Sequence, residues 1–257
     1  QRVMIITGYG STETAPFAFT TTWPVEEAGH IGLPAAGMEV KLVPNGDKTE
    51  LRLKGPNVTP GYWRDTEKTA EAFDEEGFYK IGDAVRFADP DDLGKGLVFD
   101  GRVTEDFKLS TGTWVNFSAV RASVIRACAP LVRDVVLTGL DRNYIGALIF
   151  PDLEACARLA GLPLDTAAEA LLAHPVVRQK FADCLEGLAQ QATGSSNQVA
   201  RALVMSALPD IDKGEVTDKG SINQRAVLAH RAELVSALYA DTPGPDIIIC
   251  LRKGTRP

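Results

Sequence analysis

Gly101-Arg102-Val103-Thr104-Glu105-Asp106-Phe107-Lys108 marks a change of texture along the chain. Upstream of it, short strand-like runs alternate with turns dense in Gly and Pro. Residues 38–43 and 50–54 alternate in polarity and flank Pro44-Asn45-Gly46-Asp47, the pattern of a β-hairpin. Further strand-like runs are expected at 3–6, 78–81, 84–88 and 97–103, with a short helix over 66–73. This half reads as a small antiparallel or barrel-like unit. Downstream, helices are predicted over 119–127, 153–160, 166–173, 176–192 and 224–239, among strands at 107–109, 134–139, 144–150 and 201–207. Thr166-Ala167-Ala168-Glu169 fits a capping box, and Gly194 fits a helix stop. The last helix would turn Val227, Leu228, Leu234, Val235 and Leu238 to one apolar side. The tail beyond it, rich in Pro and Gly, is expected to be loose. The expected class is α+β: a β-rich piece over residues 1–102, then an α+β domain over 103–257.

Composition excludes several classes. The 257 residues carry 27 Lys and Arg against 34 Asp and Glu, a net charge of −7. An acidic chain without a basic block is a poor non-specific binder of nucleic acid, although a small anion needs only a few local donors. No apolar run approaches the ~18 residues of a membrane span, so no membrane partner is expected. No basic segment precedes an apolar stretch as in a signal peptide. Cys128, Cys156, Cys184 and Cys250 form no CxxC pair and read as free buried thiols of a cytoplasmic protein. His30, His174 and His230 are too scattered for a histidine metal site.

Four segments carry candidate chemistry. Gly8-Tyr9-Gly10-Ser11-Thr12-Glu13 follows a strand-like run. Its glycines permit close approach of backbone to a ligand, and a hydroxyl beside a carboxylate suits a phosphate oxygen and Mg²⁺. Tyr79-Lys80-Ile81-Gly82-Asp83 ends in a carboxylate whose two acceptor oxygens match vicinal sugar hydroxyls. Arg102 to Lys108 places an acidic pair between cations, and Thr217-Asp218-Lys219-Gly220-Ser221 sets a lysine beside a glycine. Taken singly, each also reads as an ordinary polar turn or exposed strand.

In this order, the segments resemble the adenylate-forming superfamily of acyl-CoA ligases, luciferases and peptide-synthetase adenylation domains. Gly29-His30-Ile31-Gly32-Leu33-Pro34, Leu53-Lys54-Gly55-Pro56-Asn57-Val58 and Gly61-Tyr62-Trp63-Arg64 lie between them and share the family's wording. The resemblance runs from about Ile5 to Ala240. Glu105 to Val115 and Thr217 to Leu228 look most like feruloyl-CoA synthetases.

The resemblance implies that ATP and a small aromatic or aliphatic carboxylic acid form an acyl-adenylate, which coenzyme A then converts to a thioester. It also implies a carrier-protein thiol as an alternative acceptor, or a non-catalytic binding domain that keeps the fold. By position, Thr12 would bind phosphate, Glu13 would hold Mg²⁺, and Tyr9 and Gly10 would lie against the nucleotide. Asp83 would take the ribose hydroxyls with Arg102 nearby. Lys219 would stabilise charge during adenylation. Lys108 would serve thioester formation after the C-terminal domain swings, and Gly112 would line the passage of the pantetheine arm. Residues 1–102 would be the C-terminal portion of the large adenylation domain, and 103–257 the mobile C-terminal domain. The family's hinge position falls on Thr104 rather than Asp or Lys. The usual Gly-Lys-Ile order is shifted, which puts Ser221 at the strict lysine position and leaves Lys213 as a reserve cation. A phosphate loop ending in Pro-Lys does not occur in these residues. This implies a fragment that depends on an N-terminal part of the same chain and is inactive alone.

Overall fold

A computed structural model describes residues 6–25, 29–46, 48–103, 105–217 and 220–250. The chain divides into two compact units, Gln1–Glu105 and Asp106–Pro257. Together they form an α+β architecture, with the larger antiparallel sheet in the first unit and a smaller mixed sheet in the second.

The first unit holds β1 (Gly8–Tyr9), β2 (Phe19–Thr20), β3 (His30–Pro34), β4 (Glu39–Asn45), β5 (Lys48–Lys54), α1 (Thr66–Ala72), β6 (Tyr79–Phe87) and β7 (Leu97–Arg102). The seven strands pair antiparallel in the order β1-β2-β3-β7-β6-β5-β4. Among the described residues the order is linear from β1 to β4, so the sheet is open rather than a barrel. The expected hairpin forms, but its strands are longer. Asn45 pairs with Lys48, and Pro44 sits inside β4 opposite Thr49. Proline is accommodated because β4 is an edge strand, with no neighbour beyond it to want the missing N–H. The runs at 78–81 and 84–88 merge into β6, and the register shift against β7 lies between Asp83 and Val85. A bulge keeps the strand continuous where its sequence suggested a break. Asp65 accepts from the Lys68 backbone N–H at 3.0 Å and so caps α1. Ala18, Phe19, Ile31, Leu51, Leu53, Val85 and Leu97 form the buried cluster. Most of the strand expected at 3–6 lies outside the described residues.

The second unit opens with the short pair β8 (Phe107–Lys108) and β9 (Trp114–Val115). Then come α2 (Phe117–Ala127), β10 (Val132–Thr138), β11 (Ile145–Pro151), α3 (Leu153–Ala160), α4 (Ala168–Ala173), α5 (Pro175–Gln191), β12 (Val199–Val204), α6 (Gln224–His230), α7 (Ala232–Leu238) and β13 (Ile247–Ile249). The sheet order is β10-β11-β12-β13, and β11 runs parallel to β12. The α3–α5 segment supplies the long crossover that a parallel pair requires. Every residue of β11 is buried, because the sheet is covered on both faces. Ile145, Ala147 and Ile149 face the cluster built with α2, α3 and α5. Leu148 and Phe150 face the cluster built with α6 and α7. That is the period-two alternation of a strand between two layers.

Several sequence expectations need correction here. The single helix over 224–239 is two, broken at Arg231 with φ −110° and ψ 31°. The guanidinium is drawn inward: it donates to Glu215 at 3.1 and 2.6 Å and to the Ala207 and Leu208 carbonyls at 2.8 Å each. The capping box at 166–169 does not form. Thr166 Oγ1 donates to the Pro163 carbonyl instead, and α4 starts after Ala167 without a side-chain cap. Ala192, not Gly194, ends α5. The tail is not wholly loose, because β13 pairs antiparallel with β12 and gives its apolar run a ladder to join. No described helix is long and apolar enough to cross a membrane.

Candidate functional site

The first unit gathers two carboxylates among three tyrosines. Asp83 follows the glycine of the β6 bulge, and β7 brings Arg102 directly opposite it in register. β1 carries Tyr9, whose hydroxyl donates to Asp83 Oδ2 at 2.6 Å. Arg102 Nε stands 3.5 Å from Oδ1. Oδ1 is buried and, among the described residues, has no hydrogen-bond partner. Burial pushes the Asp83 carboxyl up, opposed by the Tyr9 hydroxyl and the Arg102 charge. Burial, then the neighbouring Asp83 charge, drives the Tyr9 phenol well above its usual range, so Tyr9 remains a donor. Its ring meets Phe19 edge-on at 5.9 Å between centroids, which fixes its direction.

Glu13 lies in the short 3-10 turn Thr12–Thr14 that follows β1. The Tyr62 hydroxyl donates to Glu13 Oε1 at 2.9 Å, and the Thr59 N–H donates to its carbonyl at 2.7 Å. Burial pushes the Glu13 carboxyl up. Backbone and Tyr62 hydrogen bonds outweigh that, and the net position is below the ordinary glutamate range. Tyr79 is buried, and its phenol is raised first by burial and then by the charges of both Glu13 and Asp83. The charges of both carboxylates thus reach this one phenol. Thr12 is exposed at the start of the turn. At Gly10 an added Cβ would meet the Phe17 N, the Pro16 carbonyl carbon and Thr14 Oγ1, each at 2.7 Å. The loop's own packing thus requires that glycine, whatever else approaches it. Among the described residues, no group of three or more His, Cys, Asp or Glu is placed to hold a metal.

In the second unit, Lys108 and Gly112 share the β8–β9 turn. Leu109 N–H donates to the Thr113 carbonyl and Gly112 N–H to the Leu109 carbonyl, both at 2.9 Å, with Gly112 at φ +86°. Lys108 is exposed and pairs across the strands with Trp114, its Nζ 6.0 Å from the ring centroid. A Cβ on Gly112 would stand 3.9 Å from Lys108 Cε, so these two candidates adjoin. Lys219 and Thr104 lie outside the described residues. Ser221 closes a turn in which its hydroxyl meets Thr217 Oγ1 at 2.7 Å. Lys213, the reserve cation, pairs with Asp210 at 3.6 Å on the rim of a cavity of about 560 Å³. Leu172, Phe181, Leu203 and Met205 give that cavity an apolar lining.

Sequence reasoning did not foresee Tyr62 and Tyr79 as companions of the carboxylates. Both lie in segments quoted for the resemblance, beside chemistry-bearing residues. Aromatic hydroxyls with no charge of their own gave no reason to single them out.

Residues 107–243 match the family model for the AMP-binding enzyme C-terminal domain, and residues 1–63 match that for AMP-binding enzyme. The chain belongs to the AMP-binding enzyme family. It is 31% identical over 249 residues to a carboxylic acid reductase of Segniliparus rugosus, covering 93% of this chain and 19% of that protein. It is 28% identical over 254 residues to a chloroplastic long-chain-fatty-acid–[acyl-carrier-protein] ligase of Arabidopsis thaliana, covering 93% and 33% respectively. Among solved structures it resembles the A domain of the S. rugosus carboxylic acid reductase, in complex with AMP and a co-purified carboxylic acid. That match has a TM-score of 0.66 and 27% identity, over 91% of this chain and 35% of that one. The chain thus spans a third or less of the length of these two curated relatives.

Proposed function

We propose that this chain is part of a longer enzyme that activates a carboxylic acid as its acyl-adenylate and passes the acyl group to a thiol. The observation that carries the reading is the buried Asp83 carboxylate, with one oxygen held by Tyr9 and the other buried without a hydrogen-bond partner among the described residues. A buried acceptor without a donor is costly, and the paired hydroxyls of a ribose are donors of the right kind. Arg102 keeps positive charge beside that carboxylate. In this reading Tyr9 and Gly10 lie against the nucleotide and Thr12 meets phosphate. Glu13, kept ionised by its donors, is the protein's ligand to Mg²⁺. Mg²⁺ typically takes one or two carboxylates and completes its shell with phosphate and water. When bound, it supplies charge neutralisation at the phosphates. Lys219 stabilises charge during adenylation, while Lys108 and Gly112 serve the thioester step.

The thiol in this reading belongs to a carrier protein. Support comes from similarity to a carboxylic acid reductase A-PCP didomain, at 29% identity and a TM-score of 0.64, and to an acyl-carrier-protein ligase. Free coenzyme A is the second reading, favoured by similarity to a long-chain-fatty-acid–CoA ligase of Mycobacterium bovis at 28% identity. Ferulate as the acid rests on the wording of residues 105–115 and 217–228 alone, so a long-chain fatty acid stands ahead of it, supported by the similarity to two long-chain-fatty-acid ligases. The test uses the longer protein with ATP, Mg²⁺, a panel of fatty and aryl acids, and either coenzyme A or a phosphopantetheinylated carrier. Acyl-carrier with release of AMP is the expected product. Acyl transfer to coenzyme A alone would move the assignment to the second reading. No AMP with any acid would leave only a binding domain.

A further inference from the structure

All four cysteines lie in or against the core cluster of the second unit, and none has a part in the chemistry above. Cys128 caps the C-terminal end of α2, and Cys184 lies in the middle of α5. Their sulfurs are 2.8 Å apart, across 56 residues of chain. Cys128 is buried at 2% exposure and Cys250 at 1%, whereas Cys184 is half-buried. We propose that Cys128 and Cys184 form a peroxide-sensitive dithiol, with Cys184 as the sulfur attacked by oxidant and Cys128 as its resolving partner.

Geometry assigns the order. Among the four cysteines only Cys184 is not fully buried, which favours it as the sulfur an oxidant meets first. Lys180 precedes it by one helical turn on α5, and its positive charge acts on the Cys184 thiol. The hydrogen bond with Cys128, then a backbone hydrogen bond and the Lys180 charge, hold the Cys184 thiol below its ordinary range against the effect of burial. The same hydrogen bond and burial push Cys128 up. Burial raises Cys156 to about 11 and Cys250 to about 12, which leaves both as inert thiols. A bonded pair of sulfurs sits at about 2.05 Å, so closure needs less than ~1 Å of movement.

In the first step the Cys184 thiolate attacks a peroxide oxygen. An S–O bond forms, the O–O bond breaks, and the departing hydroxide takes a proton to become water. In the second, Cys128 gives up its proton and attacks the Cys184 sulfur. The S–S bond forms as the S–O bond breaks, and a second water leaves. Two thiols are oxidised by two electrons and one hydrogen peroxide is reduced to two waters. The product ties the end of α2 to α5, within the same cluster that supports β10 and β11.

The experiment treats the fully reduced chain with a small excess of hydrogen peroxide, then measures intact mass and maps peptides without reduction. The expected result is loss of a pair of hydrogens, a Cys128–Cys184 cross-linked peptide, and reversal by dithiothreitol. Cys250→Ser should retain the cross-link and Cys184→Ser should abolish it. A Cys184–Cys250 linkage, a Cys184 sulfinic acid with Cys128 free, or four unreacted thiols would each overturn the proposal. Should Cys184→Ser fail to fold, Cys128→Ser decides: accumulation of a dimedone-reactive Cys184 supports the assigned order, and its absence refutes it.

Discussion

Asp83→Asn tests the nucleotide reading at its narrowest point. The substitution keeps the size of the side chain and leaves an oxygen able to accept from Tyr9. It removes the negative charge and turns the other acceptor into a donor. That second position is the buried Oδ1, which has no hydrogen-bond partner among the described residues. A ribose hydroxyl that donated to a carboxylate would face an N–H instead. A hydrogen bond to a charged group is worth about 1.5–3 kcal/mol, so affinity for AMP should fall roughly 10- to 150-fold. Isothermal titration on the longer protein, with AMP and with its 2′- and 3′-deoxy analogues, reads this directly. The unmodified protein should lose comparable affinity for at least one deoxy analogue. Asp83→Asn should barely distinguish that analogue from AMP. The reasoning is refuted if Asp83→Asn binds AMP normally, or if it discriminates the deoxy analogues as strongly as the unmodified protein does.

Other outcomes follow from the same structure. Arg231→Ala should destabilise the second unit by about 3–5 kcal/mol in urea unfolding, because it leaves the buried Glu215 carboxylate without its counter-ion. Chiefly through its hydrogen bonds with Arg231, Glu215 is held below its ordinary value of 4.5. Its stabilising contribution is therefore full above that value and lost as pH falls through the depressed one, a loss that urea midpoints across acid pH should show. Gly10→Ala puts a Cβ 2.7 Å from two backbone atoms and should cost about 1–3 kcal/mol in thermal unfolding. In the longer protein, Lys108→Ala should slow acyl transfer from supplied acyl-adenylate more than adenylate formation, and Lys219→Ala the reverse. Stopped-step assays of the two half-reactions would show an error in either role as equal losses.

Features encoded locally were legible in the sequence, and those set by distant partners were not. The 38–54 hairpin could be read because alternation and turn residues lie side by side. Its length could not, because Pro44 is permitted only by β4 being an edge, a property of the whole sheet. The break in the last helix was invisible because it answers to Glu215 and to carbonyls more than twenty residues away. Apolar residues 247–249 looked like part of a loose tail until β12 offered them a free edge. At the site, Tyr9 and Asp83 could be singled out, but not the hydrogen bond across 74 residues that joins them. The tyrosine that holds Glu13 likewise comes from 49 residues away.

Acid-dependent formation of an adenylate underlies every role proposed for these residues. Its most direct measurement is exchange of labelled pyrophosphate into ATP by the longer protein, with and without added carboxylic acid. Exchange should require the acid and Mg²⁺ and fall sharply in Asp83→Ala. Exchange indifferent to the acid, or hydrolysis releasing phosphate in place of pyrophosphate, would contradict it.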